Sequence, residues 1–420
     1  MGWNDAAVTL RSRSPHPAWL AIVAVLLLAT NLRIAVSSVG ALLPDIREGV
    51  GLNGFETGIL TSLPPFCFGL MGLAGPTVAR RIGLHRTALL TLVVIAAGQV
   101  IRGAVPGELW LFLGSALALA GIALANVIMP SLIREMFPDR IAGMTGAYTV
   151  IMATAQAGVS FATIPLMTAF GGDWQLGIAM WAAMAVFAAL PWIPLAKRDT
   201  ALVRTSNGAH RLPLTTIARI PKAWALALFM GTQSLTAYIV FGWYPTLLRD
   251  SGLSDQGAAV QVGIVSVAAL VAAMFAPTAL SRMRRPAVMM WCLFLTCVSG
   301  YVGLLIWPAE AATLWSMLIG VSQTYFAIAL YIVNLRARTV TGVLSLSGFM
   351  QSVGYIFAGS GLLLLGTIHG DSTEWGGVLV TLLLLCCLLQ AMALISVRKW
   401  NIEDELERGG LPSPDAEPHG

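Results

Sequence analysis

Hydrophobic residues in this chain run in long blocks rather than in an alternating or one-sided pattern, and short polar stretches separate them. Crossing the hydrocarbon core of a bilayer takes about 20 apolar residues in a helix. Twelve blocks reach that length: 18–40, 54–79, 86–105, 108–131, 143–168, 174–195, 222–248, 255–280, 287–307, 309–334, 341–367 and 373–397. The pattern predicts an all-α membrane protein with twelve transmembrane helices, numbered here as spans 1 to 12. The expected domains are an N-terminus at 1–17, a six-helix bundle at 18–195, a linker at 196–221, a second bundle at 222–397, and a disordered tail at 398–420. Arg11 and Arg13 precede the first block as in a secretory signal. That block is too long for a signal core, so it reads as an uncleaved first helix.

Composition agrees. Only 11% of residues are charged against 57% hydrophobic, and a soluble domain carries about 25% charged residues. The net charge of +5 could suggest nucleic acid as a partner, but the basic residues sit in clusters between apolar blocks, as orientation signals do. With the N-terminus on the inner side, all but four of the 25 lysines and arginines fall in inner segments; the exceptions are Arg33, Arg47, Arg102 and Arg249. Both termini are therefore expected in the cytoplasm of an inner-membrane protein. The five cysteines lie in apolar helices with no histidine or carboxylate beside them, so they read as packing residues, and neither a metal nor a cofactor is expected.

The halves echo each other. Gly75-Pro76-Thr77-Val78-Ala79-Arg80-Arg81 near the end of span 2 has a counterpart 201 residues later in Ala276-Pro277-Thr278-Ala279-Leu280-Ser281-Arg282 of span 8. Gly143-Met144-Thr145-Gly146 in span 5 pairs with Leu346-Ser347-Gly348 in span 11 at an offset of 202. Two pseudo-symmetric six-helix bundles with a substrate site between them are the major facilitator plan.

Several segments carry a closer likeness: Asn31-Leu32-Arg33 with Ser37-Ser38-Val39-Gly40-Ala41-Leu42-Leu43-Pro44, Leu60-Thr61-Ser62-Leu63-Pro64, Ala125-Asn126-Val127, Gly231-Thr232-Gln233-Ser234-Leu235, Leu335-Arg336-Ala337-Arg338-Thr339 and Gln351-Ser352-Val353-Gly354-Tyr355. From about residue 19 to 397 the chain resembles the cyanate and 2-nitroimidazole transporter branch (CynX/NimT) of the major facilitator superfamily. The resemblance implies the major facilitator fold and transport of a small solute. One departure concerns the loop after span 2, where the superfamily carries an acidic residue before Arg-x-Gly. Here Arg80 stands in that place, followed by Arg81 and Arg86. These three arginines are candidates for an inner gate acting on helix C-termini, or for orientation signals alone.

The candidate chemistry centres on Arg33. None of the 20 acidic residues falls in the middle of a span, whereas Arg33 does, and a central Arg costs at least ~2.5 kcal/mol on insertion scales. It must meet water, carbonyls or an anion, for which its fork of donors is suited. The other reading is snorkelling to the outer interface, roughly 10 Å away. Arg102 lies nearer the outer surface and carries the same two readings. Neutral polar residues form helical stripes: Ser347, Gln351 and Tyr355 in span 11, and Thr145, Thr149, Met152 and Gln156 in span 5. Gln233, Thr236 and Tyr238 in span 7, Gln323 and Tyr325 in span 10, and Asn126 in span 4 join them. Each is a candidate substrate contact or an interhelical hydrogen bond. Asn31, 200° around the helix from Arg33, is expected to bond a neighbouring helix or to orient Arg33. Pro64, Pro65, Pro130, Pro165 and Pro277 are expected to interrupt helices and free carbonyls.

Two functions fit: a secondary transporter of a small anionic or polar solute recognised by Arg33, and an exporter of drug-like molecules in which cavity aromatics dominate. An enzyme is excluded for want of a catalytic motif. The expected partners are a small-molecule substrate, anionic in character, and the lipid bilayer, without nucleic acid, and the expected state is a monomer.

Overall fold

Backbone N–H and C=O groups have no water to bond in lipid, so an apolar block can only cross as a helix. The computed structural model describes residues 18–197, 213–369 and 374–408, and every regular element among them is helical. In chain order these are α1 (Ala18–Ala41), α2 (Leu43–Val50), α3 (Gly54–Ile82), α4 (Leu84–Ala104), α5 (Glu108–Met136), α6 (Ile141–Ala169), α7 (Trp174–Ala179), α8 (Ala182–Ala189), α9 (Trp192–Ala196) and α10 (Leu214–Ile217). The second half holds α11 (Pro221–Asp250), α12 (Asp255–Arg282), α13 (Pro286–Ile306), α14 (Ala312–Ser322), α15 (Tyr325–Leu335), α16 (Val340–His369), α17 (Gly376–Ser396) and α18 (Ile402–Arg408). Ten helical runs are long and apolar enough to span a membrane. The 29-residue α3 and the broken run α7–α9 complete the twelve.

Two local expectations change, and one connection proves to be a helix. The five named prolines sit inside helices that continue through them; the breaks fall instead at Met180–Trp181, Leu190–Pro191 and Gln323–Thr324. At the last of these the backbone tightens, with Gln323 N bonded to Gly320 O at 3.0 Å and Thr324 N to Val321 O at 3.2 Å, an i to i+3 pattern. The outer connection after span 1 is the amphipathic α2, which buries Ile46, exposes Asp45, Arg47 and Glu48, and ends on Gly51 at φ 80°. The tail, expected to be disordered, is ordered through Arg408. Ile402 and Leu406, spaced i and i+4, are fully buried with Trp400 beside them. The N-terminus and the central part of the linker lie outside the described residues.

The sequence echoes coincide with the contacts between halves. Pro76 in α3 has no N–H for the carbonyl of Gly72, and Gly348 of α16 packs there so closely that a Cβ on it would sit 2.7 Å from that oxygen. The related pair places Gly146 of α6 against the carbonyls of Met274 and Ala273, one turn before Pro277 in α12; a Cβ would lie 3.0 Å from the former. A proline on one helix and a glycine on its partner thus recur in both crossings, because each half supplies one of each. Further along α3 and α16 the approach relaxes. A Cβ on Gly359 would meet Pro65 and Phe66 at an ordinary 3.4 Å. The two halves are therefore tightest toward the end that carries the arginine-rich loops.

Candidate substrate site

Arg33 lies about two-thirds of the way along α1 and is half-buried. Its guanidinium carbon stands 5.6 Å from the centroid of the Phe326 ring, at the start of α15 just beyond the break in span 10, a cation–π distance. The Tyr355 hydroxyl of α16 lies close enough to interact electrostatically with it. The phenols of Tyr148 on α6 and Tyr238 on α11 are close enough to interact electrostatically with it. Phe68 of α3 packs edge-on against Tyr355 at 4.9 Å between centroids. Five helical runs from both halves so converge on one cation. Among the described residues no carboxylate pairs with it. The arrangement offers a positive fork, phenolic hydroxyls and aromatic faces, which suits a negative, flat group. No cluster of three or more metal-binding side chains occurs among the described residues.

The other candidates divide. Tyr238, half-buried, and Tyr355, buried, belong to the Arg33 cluster. Gln351 and Ser347 are both buried and reach across the halves. Gln351 Nε2 donates to the carbonyl of Asn126 at 3.0 Å and to Ser347 Oγ at 2.9 Å, and Ser347 Oγ donates to Val127 O at 2.9 Å. The first of these bonds has a local cause. Residue 130 is proline, so the Asn126 carbonyl has no i+4 N–H, and Gln351 from the other half supplies the donor. Asn126 itself donates to Ile122 O on its own helix at 3.1 Å. Gln233 is buried on α11 with the Ser234 hydroxyl 3.4 Å from its amide oxygen. Gln156 is exposed, and Gln323 sits at the break in span 10 with its oxygen buried and unbonded. Thr145 and Thr149 are buried, and Thr149 bonds back to the Thr145 carbonyl. Tyr325 donates to Met290 O and packs on Phe229, away from the cluster.

Asn31 corrects an expectation. It is fully buried and its amide donates to Leu27 O at 3.0 Å and to Thr30 Oγ1, both on its own helix, leaving its oxygen unbonded. Arg102, 1% exposed, is neither at the outer surface nor at the cluster. It donates to Ala35 O at 3.0 Å and to Ser38 Oγ at 3.1 Å, on a different face of α1 from Arg33. The three gate candidates are at the arginine-rich end. Arg80 donates to Thr77 on its own helix, Arg86 to Ala196 O in its own half, and Arg81 is exposed. Arg134 makes two bonds that bridge the halves there.

Tyr148, Phe326 and Phe68 were not picked out from the sequence. Tyr148 stands three residues after Thr145 and four before Met152, on the face of the stripe already chosen, and that spacing was the available signal.

Comparison with known proteins gives a concordant result. The chain matches the Major Facilitator Superfamily profile over residues 23–359. It is 34% identical over 380 residues, 90% of this chain and 95% of the other, to the 2-nitroimidazole transporter of Escherichia coli (strain K12). It is 25% identical to the cyanate transport protein CynX of the same organism, over 80% of this chain and 87% of that one. Among solved structures the proton:xylose symporter XylE superimposes with a TM-score of 0.70 at 13% identity, covering 90% of this chain and 94% of that one, a likeness of fold alone.

Proposed function

Because this chain belongs to the major facilitator superfamily and is a membrane transporter rather than an enzyme, we propose that it carries a small, flat solute with a negative or negative-ended group, which Arg33 recognises between the two halves. The observation that supports this most is the Arg33 cluster: a half-buried cation without a carboxylate partner among the described residues, backed by Phe326 and close to the Tyr355 phenol. An unpaired charge in that position is costly and is relieved when an anion binds. The names of two relatives fit, since cyanate is an anion and a nitro group ends in two negative oxygens. Alternating access then works by rocking the halves about the site. In this reading the arginine-rich end faces the cytoplasm and is the closed end. With no acid in the middle of any span, transport follows the solute's own gradient, an exchange, or a proton carried by a weak-acid solute.

The aromatic faces of Phe326, Tyr148 and Phe68 favour a second reading, export of drug-like molecules, in which truncating Phe326 costs more than removing the charge of Arg33. Uptake of 2-nitroimidazole and of cyanate into proteoliposomes separates the two. The first reading predicts that Arg33→Gln abolishes uptake of cyanate in a protein that still elutes as a folded species, and that an imposed pH gradient changes the rate only for a weak acid. Cyanate uptake by wild type that persists undiminished in Arg33→Gln removes Arg33 from the site.

A further inference from the structure

We infer that Arg134 and Glu403 form a single latch between the halves, in which the C-terminal helix α18 positions the turn that Arg134 grips. Arg134, at the end of α5, sends one guanidinium nitrogen to the carbonyl of Asn334 at 2.7 Å and another to the carbonyl of Arg338 at 2.8 Å. Both acceptors belong to the other half, at the end of α15 and in the turn leading to α16. A planar fork on two fixed carbonyls holds them only while their spacing is kept. That spacing is set from behind by the tail. The fully buried Glu403 takes the N–H of Arg338 at 2.9 Å, the N–H of Thr339 at 3.2 Å and the hydroxyl of Thr339 at 3.2 Å on one carboxylate oxygen. Arg338 is thus held through its N–H by Glu403 while its carbonyl receives Arg134. The carboxylate also sits at the N-terminus of the 30-residue α16, where a negative charge is favoured, and Gly342 makes the room: a Cβ there would lie 2.7 Å from the Glu403 oxygen.

Other bonds fasten the tail. Ile402 N donates to Arg336 O at 2.9 Å, Arg338 pairs with Asp404 at 2.7 Å, and Lys222 at the start of α11 pairs with Glu405 at 2.8 Å. Arg336 turns the opposite way, donating to Ser396 O and Val397 O at the end of α17. Glu403 touches no part of the first half in these bonds, so it is a positioning residue that acts through the Arg338 peptide. The latch rests on the alternating-access reading: it closes the arginine-rich end in this state and must release for the halves to part there.

Hydrogen–deuterium exchange of the full-length protein in nanodiscs, without any solute, tests this. Arg134→Ala is expected to speed exchange at least fivefold in peptides covering 70–82 and 344–352, where the halves are tightest, and to slow it toward the opposite ends of the same helices. Glu403→Ala is expected to give the same two-sided pattern, and Glu403→Gln, which keeps an acceptor oxygen but not the charge, a weaker version of it. The double variant Arg134→Ala/Glu403→Ala should match Arg134→Ala, since both changes open one latch. Faster exchange confined to residues 400–408 in both Glu403 variants, or additive effects in the double variant, would overturn the proposal. No solute enters the experiment, so its failure leaves the assignment of Arg33 standing, and loss of that assignment leaves the latch.

Discussion

The carbonyl of Asn126 gives the sharpest quantitative prediction. Pro130 deprives it of its helical donor, and Gln351, 3.0 Å away on the other half, replaces that donor. Gln351→Leu therefore leaves a buried carbonyl without a partner, at a cost of about 1–3 kcal/mol. Replacing Pro130 by alanine restores the N–H, so that in a Pro130→Ala background Gln351→Leu removes only an ordinary interhelical bond, worth about 0.6 kcal/mol in lipid. The difference predicts a coupling of roughly 0.4–2.4 kcal/mol, or about 2- to 60-fold in an equilibrium constant at ~1.36 kcal/mol per tenfold. Because the bond joins opposite halves, the cost falls on the state in which α5 and α16 are together. Distance distributions between spin labels on Asp139 and Arg284, both exposed at the arginine-rich end on opposite halves, measure the ratio of closed to open molecules. The account predicts that Gln351→Leu opens this end strongly in wild type and weakly beside Pro130→Ala. Equal shifts in both backgrounds would refute the reasoning, and a large loss of solute affinity with no shift would return Gln351 to the substrate contacts.

Tyr355→Phe removes the hydroxyl beside Arg33, a second donor for a bound anion, but keeps the ring on Phe68. Anion affinity should fall about 10-fold, as for a hydrogen bond to a charged group, with the thermal midpoint unchanged; equal affinity by calorimetry would separate the two residues. Arg102 is buried against backbone and hydroxyl oxygens with its Nε unbonded. Replacing such a charge by an apolar side chain of similar volume is often neutral, so Arg102→Met should leave the melting temperature nearly unchanged while Arg102→Ala lowers it. A clear loss in both would show that the charge itself supports α1.

The twelve-span architecture could be read directly because lipid leaves an apolar block only one way to cross, and because arginines cluster by side. Arg33 stood out for the same reason: one charge in an apolar helix has few structural explanations. The rest of its cluster did not stand out, since Tyr148, Phe326 and Phe68 are apolar enough to pass for packing residues in any span. Ser347 and Gln351 were visible as a polar stripe. What that stripe meets depends on a carbonyl freed by Pro130, 221 residues before Gln351 in the chain, and no pattern local to α16 carries that. Arg102 and Asn31 read as possible site residues because burial against carbonyls of their own half leaves no mark in the sequence. The start of the tail, through Arg408, was misread because its apolar content is three residues, Trp400, Ile402 and Leu406, inside a charged stretch.

Charge recognition by Arg33 is the central claim, and binding of a small carboxylic acid against its own amide tests it most directly. The two ligands have nearly the same shape and differ in charge. Isothermal titration of the wild-type protein with a flat aromatic acid and its amide should show at least a tenfold preference for the acid, the scale of one charge-assisted hydrogen bond. In Arg33→Gln the preference should vanish while the amide binds as before. An acid preference that survives intact in Arg33→Gln would contradict the account.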